Sequence, residues 1–419
     1  MPYTIKDICT IISDDAVIAD PAIIIDHLLV DSRRVVFPAA TLFFALSSSR
    51  RSGAAFIEEL YKRGVKCFVV TRGFYDEKFG GANFLFVDDP LKALQKLAAF
   101  HRKQFEIPII GITGSNGKTI VKEWLYQLLH TDYNIVRSPK SYNSQIGVAL
   151  SVWQINGANT LAIFEAGISE VGEMDFLENM IKPTIGILTN VGAAHSAGFE
   201  SKEQKVREKL KLFKNAYTIV SNNQDTIVNI VVASIAKDKL FIWGDGHADV
   251  RINEITKSAN QSKITAIYNG RNISISIPFT DNASIENAIS CWSLLLYLSV
   301  VDTVIARRMQ QLQSVEMRLQ LKKGINNCSI INDAYSNDLS SLRMALDFLH
   351  QQAGNQSTTV VLSDLGETSI SDEQYHKVLQ ALVQHQVDKF IGIGPRLFAL
   401  QLLFQDAITN SFFYNSVHD

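Results

Sequence analysis

Gly111-Ile112-Thr113-Gly114-Ser115-Asn116-Gly117-Lys118-Thr119 lies between an apolar strand-like run, Ile107 to Ile112, and an amphipathic helix-like run that begins at Ile120. Glycines let the backbone curl so that successive N–H groups face phosphate oxygens. Lys118 adds a mobile cation, and Thr119 offers a hydroxyl to Mg²⁺ at a helix N-terminus that favours anions. The stretch predicts a nucleoside triphosphate site. A glycine-rich connection without function is the plainer alternative, and the Lys-Thr pair at a helix start argues against it. The general phosphate-loop pattern has Gly where this chain has Ile112, so Gly111 and Gly114 are expected to carry the flexibility.

Outward from the loop, short apolar strands alternate with helical stretches. Before it, strands at His27 to Val30, Thr41 to Leu46, Cys67 to Val70 and Asn83 to Val87, with helices at Ala54 to Arg63 and Pro90 to Lys103, predict a small α/β module. After it, strands at Leu161 to Phe164, Ile185 to Thr189, Thr218 to Val220 and Leu240 to Trp243, with a helix at Glu203 to Asn215, predict a parallel sheet covered on both faces. Between Val250 and Ile277 the period changes to two around Asn269-Gly270, which reads as an antiparallel hairpin, and a long apolar helix, Ser284 to Val300, follows. A third series runs from Ser329 to Ile393 and reads as a second doubly wound domain. The expected domains are 1–105, 106–313 and 314–419.

At 419 residues the chain can bury several cores, and its formal charge of −2 gives no electrostatic reason to expect nucleic acid. Cys9, Cys67, Cys291 and Cys328 show no metal-type spacing and are expected to be buried thiols in a reducing compartment. No apolar run is long enough to span a bilayer, so no membrane partner and a cytoplasmic location are expected.

Glu165 closes the strand Leu161 to Phe164, and Thr189-Asn190 followed by His195 closes the next strand. Such strand ends share the edge where the phosphate site lies, and an acid and an imidazole there could hold a divalent metal beside a triphosphate. Taken singly, a solvated glutamate and a core histidine are the plainer readings. Lys209, Asn287 and Arg318 read by themselves as ordinary polar residues, Lys209 as a charge on a solvated helix face.

With these residues in view, the chain resembles the Mur ligases, the ATP-dependent amide-forming family of bacterial peptidoglycan synthesis. GITGSNGKT resembles the family's ATP loop and FEAGIS its metal-binding acid segment. TNVGAAH and EKLKLF resemble its histidine and lysine segments, ENA its adenine-side motif, and MRLQ with INDAYSND its entry into the third domain. SYNSQIGVALSVW, DAYSND and FPAATLFFAL point within the family to the member that adds D-alanyl-D-alanine. The chain also resembles the type fused ahead of an alanine racemase in Bacteroidetes.

The resemblance implies a three-domain fold, with a central phosphate-loop sheet between a UDP-sugar-binding module and a Rossmann-like third domain. It also implies residue roles. Thr113, Gly114, Ser115, Asn116, Gly117, Lys118 and Thr119 would embrace ATP, with Lys118 on the transferring phosphoryl group. Thr119, Glu165 and His195 would bind Mg²⁺, with Asn287 on adenine and Arg318 reaching the nucleotide. Ser32 and Arg33 would seat the UDP end of UDP-N-acetylmuramoyl-tripeptide, and Asn143 and Ser144 its peptide. Lys209 falls where several members carry a carbamylated lysine.

Departures from the family pattern are Ser336 in place of asparagine and Ser48-Ser49-Arg50-Arg51-Ser52-Gly53-Ala54 in place of a charged Asp-Gly-His form. The family's Lys-Gly-Ser-Arg segment is not met before Asp419, so the third domain reads as incomplete. Two alternatives follow: a nucleotide- and substrate-binding module without turnover, and a ligase of the folylpolyglutamate synthase kind.

Overall fold

The computed structural model describes residues 3–47, 52–74, 78–192, 198–326, 328–335, 337–354, 356–366 and 372–419. The segments 48–51, 193–197 and 367–371, and with them His195 and the Ser48 to Arg51 part of the nucleotide-sugar segment, lie outside the described residues, as does Ser336. No helix among the described residues is long and apolar enough to cross a membrane.

The N-terminal module is a five-stranded sheet in the order Asp15–Val17, Asn83–Val87, Cys67–Thr71, Thr41–Phe44, His27–Leu29. Its first pair is antiparallel and the others parallel. Runs such as Phe68-Val69-Val70 and Phe84-Leu85-Phe86 are apolar at every position because both faces of these strands are covered. Phe68 and Phe84 stack across them at 5.3 Å. The helix Pro90–Arg102 starts where expected, with Pro at its first turn and Asp89 as its cap, accepting from the N–H groups of Leu91 and Lys92. Sequence pattern missed the short strand Asp15–Val17 and the helix Ile5–Ile12, whose capping box joins Thr4 and Asp7.

Nine strands form the central sheet, in the order Arg271–Ile277, Ser262–Tyr268, Val250–Lys257, Leu240–Gly244, Thr218–Asn222, Ile185–Leu188, Ile109–Thr113, Leu161–Glu165, Ile135–Arg137. Ile109–Thr113, Leu161–Glu165 and Ile135–Arg137 run parallel, as do Leu240–Gly244 and Val250–Lys257. The expected hairpin is in place. Tyr268 pairs with Arg271 across Asn269 and Gly270, both at positive φ (49° and 73°), the conformation a two-residue hairpin turn demands. The strand Val250–Lys257 adds a third antiparallel member. The long apolar helix spans Asn282–Tyr297, capped by Asp281.

The third segment holds an antiparallel pair, Gln320–Lys323 with Ser329–Asn332, and a parallel three-stranded sheet, Thr359–Ser363, Lys389–Ile393, Ser411–Tyr414. Its core gathers Leu346, Tyr375, Leu382, Phe390, Leu397 and Phe404. By internal contact the chain divides into two compact units. One comprises Met1–Thr113, Leu129–Ile187 and Glu208–Ile219; the other comprises Gly114–Leu128, Leu188–Arg207 and Val220–Asp419.

The expectation of four buried thiols is corrected: Cys67 and Cys291 are buried, Cys9 is half-buried and Cys328 is exposed. Cys328 immediately precedes the strand Ser329–Asn332 of a two-stranded ribbon whose residues are exposed or half-buried. Burial pushes the Cys67 thiol up to about 11.

Asp89→Ala removes the cap of the helix Pro90–Arg102. Urea unfolding should show a loss of about 1 kcal/mol, with ATP affinity unchanged.

Candidate active site

The loop begins where a fully buried strand ends. Ile109–Thr113 is paired with Leu161–Glu165 in a register that sets Gly111 beside Phe164 and Ile112 beside Glu165. Parallel register therefore brings the carboxylate-bearing residue to the edge from which the loop departs. The Thr113 hydroxyl donates to Ala166 O over 2.9 Å, and the Ala166 N–H donates to Ile112 O over 2.8 Å. Glu165 is fully buried, and its N–H donates to the Ser138 hydroxyl over 3.3 Å. A carboxylate at such a place is stable only beside donors or cations.

Asn143 and Ser144 are drawn to the same edge. The Gly167 N–H donates to Asn143 O over 2.9 Å, and Ser144 caps the helix Gln145–Val152 by accepting from the Gly147 N–H. Ser32 is buried within the short turn Ser32–Arg34, whereas Arg33 is exposed and forks onto Asp31 at 2.9 and 2.8 Å. That contact holds the Asp31 carboxyl below the usual carboxylate range. A cleft of about 830 Å³ opens beside this turn, lined by His27, Asp31, Arg34, Phe37, Tyr142 and Trp153 among others; Ser32 and Arg33 are not among its lining residues. Arg34 donates to the Tyr142 hydroxyl, one residue before Asn143.

In the second unit the loop itself is pinned. Asn190 takes two of its amides: the Ser115 N–H donates to Asn190 O at 2.6 Å and the Asn116 N–H to Asn190 Oδ1 at 3.0 Å. The neighbouring Thr189 hydroxyl donates to Asn116 O at 2.6 Å. These two amides hold the loop rather than facing outward, so the expectation that the whole run of N–H groups faces phosphate is narrowed. Lys118 Nζ donates to Gly114 O and Ser115 O, each at 2.9 Å, which folds the cation back over the loop. The helix Lys118–Leu129 then begins, presenting its N-terminal turn at the loop's end.

The glycines that matter are not quite those expected. Gly111 lies inside the strand, where a Cβ would meet the Pro183 ring at 2.8 Å, so it serves close packing. Gly114 (φ +151°) and Gly117 (φ +83°) supply the curl, and neither has room for a side chain. A Cβ on Gly114 would lie 1.9 Å from the Thr189 hydroxyl, and one on Gly117 would lie 2.3 Å from Asn287 Oδ1. Asn287 is thereby placed against the loop. Asn116 Nδ2 donates to the Ser340 hydroxyl over 3.3 Å, and Arg318 Nη2 approaches the Thr119 hydroxyl at 3.5 Å.

The helix Lys202–Leu210 departs from its solvated-face reading. Lys209 is only 2% exposed, and Lys205 and Glu208 are buried with it. Glu208 accepts from the Gly172 N–H over 2.7 Å within its unit, and Lys205 Nζ donates to Gly192 O over 2.8 Å within the other. Sequence reading misses Lys205, Glu208, Lys122 and Asn190. Lys205 and Glu208 carry no signal in a run of alternating charges, Lys122 reads as one charge on an amphipathic helix, and Asn190 reads in sequence only as a strand-end neighbour.

A glycine loop clamped at the carboxyl edge of a parallel sheet defines a nucleotide-binding α/β enzyme. The Mur ligase middle domain matches residues 112–295. The UDP-N-acetylmuramoyl-tripeptide–D-alanyl-D-alanine ligase of Borreliella burgdorferi is 30% identical over 364 residues, covering 84% of this chain and 78% of that protein. The enzyme of the same name from Bacillus subtilis is 27% identical over 84% of this chain and 77% of its own length. Among solved structures, MurF from Acinetobacter baumannii superposes with a TM-score of 0.84 at 22% identity, covering 99% of this chain and 90% of that one. MurF from Thermotoga maritima in complex with ADP gives 0.75 at 18% identity, over 93% and 88%. The chain belongs to the Mur ligase family and is of its MurF type.

Gly117→Ala places a methyl against Asn287 at a positive φ. Nucleotide titration should show ATP binding weakened by about tenfold or more, the effect of roughly 1.4 kcal/mol or more of strain, with the far-ultraviolet circular dichroism unchanged.

Proposed function

We propose that the chain joins D-alanyl-D-alanine to UDP-N-acetylmuramoyl-tripeptide at the expense of ATP, through an acyl phosphate, in peptidoglycan precursor synthesis. The observation that carries the reading is the clamped glycine loop of a MurF-type ligase, with Glu165 in register beside the strand that feeds it. In this reading residues 1–105 seat the UDP-sugar, 106–313 bind ATP, and 314–419 complete the ligase. A cytoplasmic location goes with it. The likeness to ligase–racemase fusions adds an alanine racemase as a covalently linked partner.

The terminal carboxylate oxygen of the tripeptide attacks the γ-phosphorus of ATP, and ADP leaves. The amine of D-alanyl-D-alanine then attacks the activated carbonyl carbon, and phosphate leaves from the tetrahedral intermediate. Phosphoryl transfer is mainly a matter of positioning and charge neutralisation. Lys118 would swing from the loop carbonyls to the transferring group. Asn287 would border the adenine, and Arg318 would reach the phosphates. Ser32 and Arg33 would hold the nucleotide-sugar end, and Asn143 and Ser144 the peptide.

In this reading the hydroxyl of Thr119, the carboxylate of Glu165 and the imidazole of His195 would hold magnesium, donor types that suit an ion taking few protein ligands beside phosphates; Glu165 is fully buried, as a carboxylate kept for a cation would be. When bound, that ion neutralises charge on the triphosphate. Lys209, buried on its helix, would carry a carbamate. An ammonium 4 Å from a unit positive charge is repelled by about 4 kcal/mol at an effective ε of about 20, and a carbamate reverses the sign.

Phosphate release that requires both the muramoyl tripeptide and D-alanyl-D-alanine is the expected result. Lys118→Ala should slow it by about 10²–10³-fold. Release with folate and glutamate instead would move the chain to the folylpolyglutamate synthase reading, and binding of ATP without any dependent release would favour the binding module.

For Lys209, the Ala variant should retain its fold yet lose most ligation. Full activity of that variant at ordinary bicarbonate removes the carbamate from the mechanism.

A further inference from the structure

Arg318 leaves the chain from a strained turn. Met317 and Leu319 on either side have φ of +58° and +46°, a region that residues with a Cβ enter only at a cost. The Arg318 N–H donates to Val315 O over 3.2 Å, and the Leu319 N–H donates to Asp333 Oδ1 over 3.0 Å. Asp333 opens the stretch Asp333-Ala334-Tyr335. Two residues on, the Tyr335 ring lies with its centroid 4.0 Å from the guanidinium carbon of Arg318. The same guanidinium points Nη2 at the Thr119 hydroxyl, 3.5 Å away, in the first turn after the phosphate loop. Tyr335 is 49% exposed, so filling a core is not its task.

We propose that Tyr335 is a positioning residue that acts through Arg318. The ring under the flat face of the guanidinium removes side-chain rotamers that lie out of that plane, and a contact on the face does not compete with oxygen acceptors, which meet a guanidinium at its N–H edge. A long arginine side chain with fewer rotamers open to it gives up less freedom when a nucleotide binds. Stacking before arrival moves this ordering cost into the folded protein. The phenolic hydroxyl has no part in the contact, so phenylalanine serves as well. The inference rests on the nucleotide reading of the loop, which assigns Arg318 but leaves Tyr335 without a role.

The test is a double-mutant cycle on the full chain, read as the ATP dissociation constant by titration calorimetry. Tyr335→Leu should weaken ATP binding about 3- to 30-fold, the size of a cation–π contact, and Tyr335→Phe should stay within about twofold of the parent. In an Arg318→Ala background, Tyr335→Leu should add nothing. Three results overturn the proposal: Tyr335→Leu binding as tightly as the parent, Tyr335→Phe failing as badly as leucine, or the leucine effect persisting without Arg318. The last would make Tyr335 a direct contact or a structural residue. If the parent chain binds no ATP, the nucleotide reading fails first and this inference with it. If the parent binds and the cycle is additive, only this inference fails.

Discussion

The phosphate loop of this protein is held by crowding. Two glycines at positive φ have no room for a Cβ, because Thr189 and Asn190 press on one and Asn287 on the other. Asn190 takes two loop amides and Thr189 pins the Asn116 carbonyl that follows them. Thr189 and Asn190, which follow the strand Ile185–Leu188, therefore set the loop's shape as much as the loop's own sequence does. A loop fixed in this way has its anion-facing groups oriented before any ligand arrives, which lowers the ordering cost of binding. It also divides the labour: the early amides hold the loop, and in the proposed mechanism the lysine and the helix N-terminus would meet negative charge.

The same economy of space explains the buried charges. Lys122, Glu165, Lys205, Glu208 and Lys209 are all nearly without solvent exposure. A buried ion is costly unless hydrogen-bonded or paired. Backbone groups at loop ends meet two of these charges, Gly192 O for Lys205 and the Gly172 N–H for Glu208. Lys211 joins Glu208 and Asp175 at 2.8 and 2.9 Å on the more exposed side. Buried charge tied to loop ends fixes the position of the loops, a specificity that an apolar helix face does not supply.

Much of the fold was legible because its signals are local. Every residue of Cys67–Val70 and of Phe84–Val87 is buried, and an unbroken apolar run is what a strand covered on both faces requires. Asn269-Gly270 marked its turn because few residues accept positive φ twice in succession. The Lys202–Leu210 helix defeated the same reasoning. Lys-Glu-Gln-Lys-Val-Arg-Glu-Lys-Leu offers only Val206 and Leu210 to a hydrophobic pattern, so it reads as a solvated face. Its burial depends on partners that lie far away in sequence. Asn190 was opaque for a like reason: nothing local distinguishes an asparagine that clamps a loop 74 residues earlier from one that ends a strand.

Strain follows the same geography. The positive-φ residues Met317 and Leu319 bracket the arginine that reaches the helix turn after the loop. Residues with a Cβ in that region cost of order 1–2 kcal/mol each, and such costs persist only where surrounding contacts over-determine them. Those contacts come from Asp333 on one side and the Tyr335 ring on the other. A relaxed turn would release the strain and would also free the arginine to point elsewhere. The tight loop and the tight turn thus solve one problem by one means: each gives up backbone comfort to set the direction of a cationic side chain.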